Sequence, residues 1–479
     1  MQRKPILAVV PLGHAVYFEQ FSGLREELTK KAEQLKAYLD DSTDLVVLEY
    51  VDTVDKAYQA VQSVKRMDAD GILLLLTTYL PSAVAAPFAV YLDAPLILVG
   101  IQPLNHLDYE RCTTFMQLVN DDVCAMPEIA GAIVRLGRTM PPCVVAAAGQ
   151  TSRIEWEMRA WQRAVAAKAA FKYAKIGYLG HTYEGMYDMH TDPTAFTGAF
   201  GSHVQMLEMC ELVRLVDEAE TADVQRKAEE IRRVFSIQEP SQDPLTDFVQ
   251  REDVDWAARV ACALDRLVER NGLSGLAYYY KGEANLYEKV GASLIIGNTL
   301  LTSRGIPLAG EADLKTCAAM LIMNRLGGGG SFAEIHPFDV EDDCVLIGHD
   351  GPHNIAISEG QPILRKLKKY HGKAGSGIGV EFSIRSGPLT LLSMSVKADG
   401  KFKLVAAAGV SVKGRIPQTG NTNTRVKFDL PVTEFLRRWC EAGPTHHMAL
   451  GVGNHLRAIR HFARMTNLDL EIITGNENA

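Results

Sequence analysis

The sequence has 479 residues, which is more than a single hydrophobic core usually organises, so two or three domains are expected. Hydrophobic residues make up 47% and charged residues 23%, an ordinary globular balance, and a net charge of −8 without a basic block argues against nucleic acid and anionic membranes as partners. The N-terminal apolar run is too short for a signal peptide, and no stretch approaches the roughly 20 apolar residues of a membrane span. The eight cysteines form no Cys-x-x-Cys pair. We therefore expect a cytoplasmic protein with reduced thiols.

Strand and helix signals alternate through the first part of the chain, which predicts a doubly wound parallel sheet. The predicted strands cover residues 6–10, 45–50, 71–75, 95–99 and 143–147. The predicted helices cover residues 21–39, 54–67, 81–92, 123–136 and 153–173. The loops after the first strands lie at the carboxyl ends of the sheet, where ligands of such folds bind.

A second α/β unit is predicted to start near residue 175. It has strands at 176–180 and 276–280 and helices at 222–234, 256–271 and 286–301, and residues 239–244 form a connection. After about residue 327 short β-rich runs separated by turns predict an antiparallel sheet or barrel, which ends with a helix at 454–465 and a strand at 470–474. The fold class is therefore α/β, with two doubly wound parallel-sheet domains followed by a β-rich, barrel-like domain.

Two glutamates in this second half lie in turns beside apolar segments. Glu311 precedes an apolar helix, where an acid is also favoured simply by the helix dipole. Glu334 follows four consecutive glycines, which allow a close backbone approach. The glycines do not form a typical phosphate-binding loop, because the Gly-Lys-Ser/Thr ending of such a loop is missing. The simpler interpretation is a flexible turn followed by an ordinary surface acid. Neither glutamate alone identifies a site.

Several histidines have the same two readings. His349 ends a strand and is either a hydrogen-bonded turn residue or a metal ligand. His446 and His447 are adjacent, so on a strand they point to opposite faces and at most one of them faces a given metal. Two carboxylates and two imidazoles together are typical of an open site for a divalent metal such as Mn²⁺.

Two further residues are candidates for substrate contact. His14 lies at the carboxyl end of the first strand and is either packed in its loop or in contact with a hydroxyl group of a substrate. Lys281 is either a solvated lysine or a contact for an anionic substrate.

Four segments, in order along the chain, resemble the motifs of the L-arabinose/L-fucose isomerase family. Residues 310–316 read Gly-Glu-Ala-Asp-Leu-Lys-Thr where the family has Gly-Glu-Gly-Asp-Trp-Lys-Thr, and residues 331–334 read Ser-Phe-Ala-Glu for Ser-Phe-Met-Glu. Residues 345–349 read Val-Leu-Ile-Gly-His for Val-Leu-Gly-x-His, and residues 443–447 read Gly-Pro-Thr-His-His for Gly-Gly-Ala-His-His. Weaker similarity extends over nearly the whole chain.

The resemblance implies three domains, here residues 1–176, 177–326 and 327–479, a Mn²⁺-type metal, a homo-oligomer of hexamer type and the interconversion of an aldose and a ketose. It assigns metal binding to Glu311, Glu334, His349 and His447, and catalysis to the two glutamates. Substrate binding is assigned to four residues: His14, Tyr183, Lys281 and His446.

Some positions depart from the family. His14 replaces a glutamine, Cys124 replaces a histidine contributed by a neighbouring subunit, and Tyr183 replaces a methionine. A pocket phenylalanine corresponds to Tyr280 or Lys281. These departures leave the sugar open and do not touch the four metal ligands.

The expected reaction passes through an enediol intermediate, in which a metal polarises the sugar carbonyl and Glu311 and Glu334 carry protons between C1 and C2. The alternatives are an isomerase of a 6-deoxy or anionic aldose, and a non-catalytic sugar-binding protein that kept the fold.

Overall fold

The computed structural model describes residues 3–281, 285–351, 353–370 and 375–475. The chain forms two compact units, Met1–Ala169 and Ala170–Ala479. The predicted boundary between a central and a C-terminal domain at 326/327 lies within the second unit and stays a prediction. Within the described ranges, none of the helices combines the length and the apolar character that a bilayer crossing requires.

The first unit is built on a five-stranded sheet whose order is β2-β1-β3-β4-β5. All of its pairings are parallel. The strands are β1 (Ile6–Leu12), β2 (Asp44–Val47), β3 (Gly71–Leu76), β4 (Leu96–Gln102) and β5 (Cys143–Ala147). The helices are α1 (Ala15–Gln20), α2 (Leu24–Leu35), α3 (Val54–Arg66), α4 (Ser82–Tyr91), α5 (Thr114–Val119), α6 (Met126–Arg135) and α7 (Thr151–Phe171), the last of which continues into the second unit.

The second unit begins with a four-stranded parallel sheet of order β11-β10-β6-β7. Its strands are β6 (Lys175–Gly180), β7 (His203–Leu207), β10 (Gly275–Tyr279) and β11 (Leu308–Ala309). The helices of this part are α8 (Pro193–Phe200), α9 (Met209–Asp217), α10 (Thr221–Val234), α11 (Arg251–Asn271), α12 (Leu286–Ala292), α13 (Ile295–Ser303) and α14 (Leu314–Arg325). A small sheet is made by β8 (Ser236–Ile237), β9 (Thr246–Asp247), β14 (Ile363–Leu367) and β15 (Gly377–Glu381).

The β-rich part closes into a ring of six strands. The remaining strands are β12 (Ser331–Asp339), β13 (Cys344–His349), β16 (Gly387–Val396), β17 (Phe402–Ser411), β18 (Thr422–Lys427), β19 (Met448–Val452) and β20 (Asp469–Ile473), with α15 (Val432–Glu441) and α16 (Leu456–Thr466) between them. Antiparallel pairing runs β16-β19-β12-β13-β18-β17 and returns to β16, while β20 joins β17 in parallel. The predicted fold class, two parallel sheets followed by a barrel-like β-rich part, is confirmed.

One helix that the sequence predicts as continuous is interrupted in the structure. The helix predicted at 286–301 is two helices, α12 and α13, separated at Ser293 and Leu294. The Ser293 hydroxyl donates to the carbonyl oxygen of Lys289 (2.7 Å) and accepts from the Trp256 indole N–H (2.9 Å). A serine that bonds to the preceding turn bends or interrupts a helix, and the apolar periodicity of the sequence does not reveal this.

The glycine-rich turn joins α14 directly to β12. Gly327 and Gly329 have φ of +89° and +68°, and a Cβ on Gly330 would lie 2.9 Å from the carbonyl oxygen of Met320. The glycines therefore allow the close approach of the turn to the backbone of α14, which is one of the alternatives that the sequence leaves open. The turn brings the strand that carries Glu334 against the helix that follows Glu311.

Candidate active site

Glu311 lies in a single 3-10 turn between β11 and α14, as its position before an apolar helix predicts. Glu311 and Ala312 both have φ of +56°, a left-handed conformation that costs a non-glycine residue about 1–3 kcal/mol. Asp313 caps the helix, since its Oδ1 accepts from the backbone N–H groups of Lys315 and Thr316. The cap holds the strained turn in place and so fixes the point from which Glu311 projects.

Glu334 and His349 come from neighbouring antiparallel strands, β12 and β13, with Glu334 opposite Gly348. His349 Nε2 lies 3.8 Å from Glu334 Oε1, and His336 Nε2 lies 3.3 Å from the same oxygen. Burial favours a raised pKa for Glu334, but the hydrogen bond with His336 and the field of His349 outweigh it and lower the pKa to about 2. The carboxylate is therefore ionised at neutral pH.

His447 is completely buried just before β19. Its Nδ1 lies 3.2 Å from Asp313 Oδ2. Because an ionised carboxylate only accepts, Nδ1 carries the proton and Nε2 keeps its lone pair. Burial lowers the pKa of His447, so the ring is neutral at neutral pH. The Phe332 ring packs against both His447 (4.4 Å between centroids) and His349 (4.7 Å).

His446 and His447 do not point to opposite sides, which corrects the prediction made from strand alternation. Both precede β19, so the two-residue period of a strand does not apply to them. Their ring centroids are 3.9 Å apart. Their Nε2 atoms approach the same oxygen, Glu311 Oε2, at 3.9 Å for His446 and 3.4 Å for His447.

Two overlapping groups of potential metal ligands result. Glu334, His349 and His447 form one, and Glu311, His446 and His447 form the other; within each, the ligand atoms lie within 4.8 Å of one another. The structure thus brings together all four residues predicted as ligands, with His447 shared by both groups.

The donor atoms fit a divalent metal. Glu311 Oε2 and His447 Nε2 are buried and have no hydrogen-bond partner among the described residues, although they lie 3.4 Å apart. A buried carboxylate oxygen and a buried imidazole lone pair without partners are costly, and a cation between them would satisfy both. Neutral imidazole and ionised carboxylate are also the protonation states that metal binding requires.

A pocket of about 680 Å³ opens beside these groups. Glu311 and His349 lie on its wall. The other lining residues are Tyr278, Tyr279, Tyr280, Lys281, Glu288, Gly291, Ala292, Gly310 and Gly351. Glu288 is buried, and its Oε2 has no hydrogen-bond partner among the described residues. The pocket therefore offers hydrogen-bonding groups of both charges next to the candidate metal ligands.

The residues predicted to bind substrate are distributed unevenly. Lys281 lines the pocket, and its Nζ lies 5.9 Å from the centroid of the Tyr183 ring. Tyr183 packs against Tyr279 (5.2 Å between centroids) and donates its backbone N–H to the Glu311 carbonyl oxygen (3.4 Å). His14 belongs to the first unit, where its ring packs edge-on against Tyr17 at 5.0 Å. Its contact with a sugar stays a prediction.

Sequence reasoning missed four residues around the site: Asp188, Glu288, Asp313 and Phe332. Asp313 could have been found, since an Asp at the start of an apolar helix is a typical N-cap. Phe332 lies within the quoted Ser-Phe-Ala-Glu segment. Asp188 carries no sequence signal, because its partner His446 is 258 residues away in the chain. Glu288 lies in none of the motifs quoted above.

Comparisons with known proteins agree with the motifs. Residues 165–329 match the family model described as the L-arabinose isomerase central domain, and residues 329–469 match the L-arabinose isomerase C-terminal domain. An L-arabinose isomerase of Enterobacter sp. is 25% identical over 418 residues, which cover 85% of this chain and 81% of that protein. An L-arabinose isomerase of Escherichia coli O7:K1 and one of Shigella boydii serotype 18 are each 23% identical over 421 residues, with the same coverage of 85% and 81%.

Proposed function

Because the chain belongs to the arabinose isomerase-like family and is an aldose–ketose isomerase, an intramolecular oxidoreductase, we propose that it converts a free monosaccharide through an enediol intermediate at a divalent metal site. The metal ligands in this proposal are Glu311, Glu334, His349 and His447. The observation that carries it is a pair of buried atoms, Glu311 Oε2 and His447 Nε2, which lack hydrogen-bond partners in the described part of the chain and lie beside the second group of ligands.

A bound Mn²⁺ or similar ion would supply polarisation of the sugar carbonyl and compensation of the negative charge that develops during the reaction. His349 and His447 hold their ring positions through Phe332, and Asp313 fixes the tautomer of His447. These residues therefore prepare the site before substrate enters.

The two glutamates carry the protons. One carboxylate removes the proton from C2 of the open-chain aldose, which gives the enediol, and a proton is returned to C1 while the hydroxyl proton on O2 passes to O1. C1 is reduced and C2 is oxidised, so no external oxidant is needed. Glu311 and Glu334 belong to different ligand groups that share His447, which supports giving one the role of base and the other that of acid.

The pocket supports a neutral polyhydroxy substrate. Lys281 is exposed at the wall, whereas Glu288 is buried and its Oε2 has no hydrogen-bond partner within the ranges that the structure describes. A buried carboxylate accepts hydrogen bonds from hydroxyl groups and repels an anionic group. We therefore place a 6-deoxy or neutral aldose ahead of an acidic aldose. By resemblance we further propose a homo-oligomer of hexamer type in the cytoplasm.

The substrate is found by measuring Mn²⁺-dependent ketose formation across aldopentoses, aldohexoses, 6-deoxy sugars and uronic acids. Ketose formation that disappears with a chelator and returns with Mn²⁺ supports the proposal. Binding of a sugar with no ketose formed at any metal concentration would contradict it.

Glu334→Gln tests the catalytic role directly. The amide keeps the size of the side chain but cannot accept a proton, so turnover of the confirmed substrate should fall about a hundredfold or more. Glu341→Gln is the matched control, because Glu341 is an exposed acid in the turn of the same β12–β13 hairpin. Folding is compared by circular dichroism. Near-normal turnover by Glu334→Gln would remove Glu334 from the mechanism.

A further inference from the structure

Asp188 holds His446 from a distant part of the chain. A single oxygen, Asp188 Oδ2, accepts the backbone N–H of His446 at 2.9 Å and lies 2.7 Å from the ring Nδ1. Asp188 lies in the 3-10 turn Tyr187–Met189, between β6 and α8, whereas His446 immediately precedes the candidate ligand His447. The contact therefore connects the part of the chain around Tyr183 with the segment that enters the candidate metal centre.

The contact determines which nitrogen of His446 faces the site. The carboxylate can only accept, so Nδ1 carries a proton directed at Asp188. Nε2 is then the nitrogen that lies 3.9 Å from Glu311 Oε2. The ring is packed on one side by His447, at 3.9 Å between centroids. The terminal torsion of a histidine is broad and roughly two-fold, so packing alone leaves both ring orientations accessible.

We propose that Asp188 is a positioning residue for the isomerase reaction: it fixes the orientation and the tautomer of His446 so that Nε2 is presented to the sugar beside Glu311. The inference rests on the function proposed above. Asp188 does not touch the sugar itself and acts through the imidazole of His446. The sequence motifs around Glu311, Glu334 and His349 do not include it, and it deepens the assignment of His446 to substrate binding.

A simpler role is a structural tether. The backbone N–H of His446 is also bonded to Asp188, so loss of the carboxylate could displace the segment that carries His447 and weaken metal binding. The two roles differ in one respect: the backbone bond survives replacement of the His446 side chain, and the ring bond does not. A double-mutant cycle therefore separates them.

The experiment compares the parent chain, Asp188→Ala, His446→Gln and the double variant at saturating Mn²⁺ with the confirmed sugar. Loss of one charge-assisted hydrogen bond should lower kcat of Asp188→Ala roughly ten- to hundredfold. The double variant should lie within about twofold of His446→Gln, because Asp188 has no ring left to orient. Mn²⁺ affinity, measured by calorimetry, should change less than about twofold in Asp188→Ala, since the ligands are untouched.

Asp217→Ala serves as the control, since Asp217 is an exposed carboxylate at the end of α9 in the same unit. If Asp188→Ala does not fold, as judged by its thermal unfolding midpoint, Asp188→Asn enters the same cycle, because its amide oxygen can still accept the backbone N–H.

Three results would overturn the inference. Parent-like kcat in Asp188→Ala rejects it while the isomerase function stands. An equal loss in the parent and His446→Gln backgrounds shows a tether that acts through the backbone. A parent chain that forms no ketose from any sugar rejects the proposed function, and this inference with it.

Discussion

Asp313 serves two partners with one carboxylate. One oxygen caps α14, and the other lies 3.2 Å from His447 Nδ1 and accepts the Thr316 hydroxyl at 2.7 Å. The side chain is completely buried, and although burial favours the neutral acid, Lys315 and His447 hold the pKa of Asp313 well below its ordinary value. The same carboxylate therefore anchors the Glu311 turn and orients the His447 ring.

Asp313→Asn should lower Mn²⁺ affinity about ten- to hundredfold, as expected when the carboxylate that orients a ligating imidazole is neutralised. Asp192→Asn is a matched control, because Asp192 caps α8 through its Oδ1 and the structure gives it no imidazole contact among the described residues. The measurement is a Mn²⁺ titration followed by calorimetry or by thermal unfolding. Equal Mn²⁺ affinity in the two variants would show that the Asp313–His447 contact does not govern metal binding.

At the level of single residues, the sequence predicts the site where a motif is local. Glu311, Glu334, His349 and His447 each lie in a short segment whose resemblance is readable without a structure, and the structure brings all four together. The contact of Asp188 with His446 spans 258 residues of the chain, and neither Asp188 nor Glu288 lies in a distinctive local pattern. The prediction that His446 and His447 point to opposite faces of a strand was wrong. Both residues precede β19, and the spacing in the sequence does not show where this strand begins.

Elements with strong periodicity were predicted closely. The strand predicted at 71–75 is found at Gly71–Leu76, and the helix predicted at 54–67 is found at Val54–Arg66. The prediction of one continuous helix over residues 286–301 was wrong, because the Ser293 hydroxyl bonds to the Lys289 carbonyl oxygen between α12 and α13. The closure of six strands into a ring was predicted only as a barrel-like pattern, because β19 pairs with β16 and with β12, which lie far from it in the sequence.

The helix α16 carries a buried histidine whose ionisation opposes folding. His461 is buried and its Nε2 has no hydrogen-bond partner among the described residues. Burial, together with Arg457 and Arg464, lowers its pKa to about 4. The unfolded chain therefore binds a proton at this residue at a higher pH than the folded chain does. The contribution to stability is complete above the unfolded value of about 6.5 and is lost as the pH falls toward 4.

We expect His461→Phe to lose less stability than the parent between pH 7 and pH 5, by about 2 kcal/mol, because the apolar ring has no charged form. The difference is measured as the change in the thermal unfolding midpoint between the two pH values. His203→Phe is the control, since His203 is exposed on β7. An identical acid sensitivity of His461→Phe and the parent would show that other groups determine it.

At the scale of the whole molecule, large apolar side chains are exposed on both units. Among them are Tyr109, Trp156, Tyr173, Tyr187, Met206 and Phe338. Single exposed apolar side chains are normal on a protein surface, and only a contiguous patch marks a protein–protein contact, so the proposed homo-oligomer rests on the family resemblance.

Sedimentation at micromolar concentration should give a mass six times the 52.6 kDa of one chain. Dilution into the low nanomolar range, followed by cross-linking, shows whether the assembly dissociates. A single species with the mass of one chain at all concentrations would contradict the hexamer while leaving the chemistry of the site unaffected.

The sharing of His447 by both ligand groups has a consequence for biosynthesis. Of the four residues, it is the last to leave the ribosome, and the strand that follows it, β19, inserts between β12 and β16. A nascent chain that already displays the β12–β13 hairpin still lacks the ring common to both groups, so neither group is complete. In the proposed metal site, a truncated product that ends before His447 would retain Glu311, Glu334 and His349 without completing either group, so cation binding would wait for the ring of strands to close.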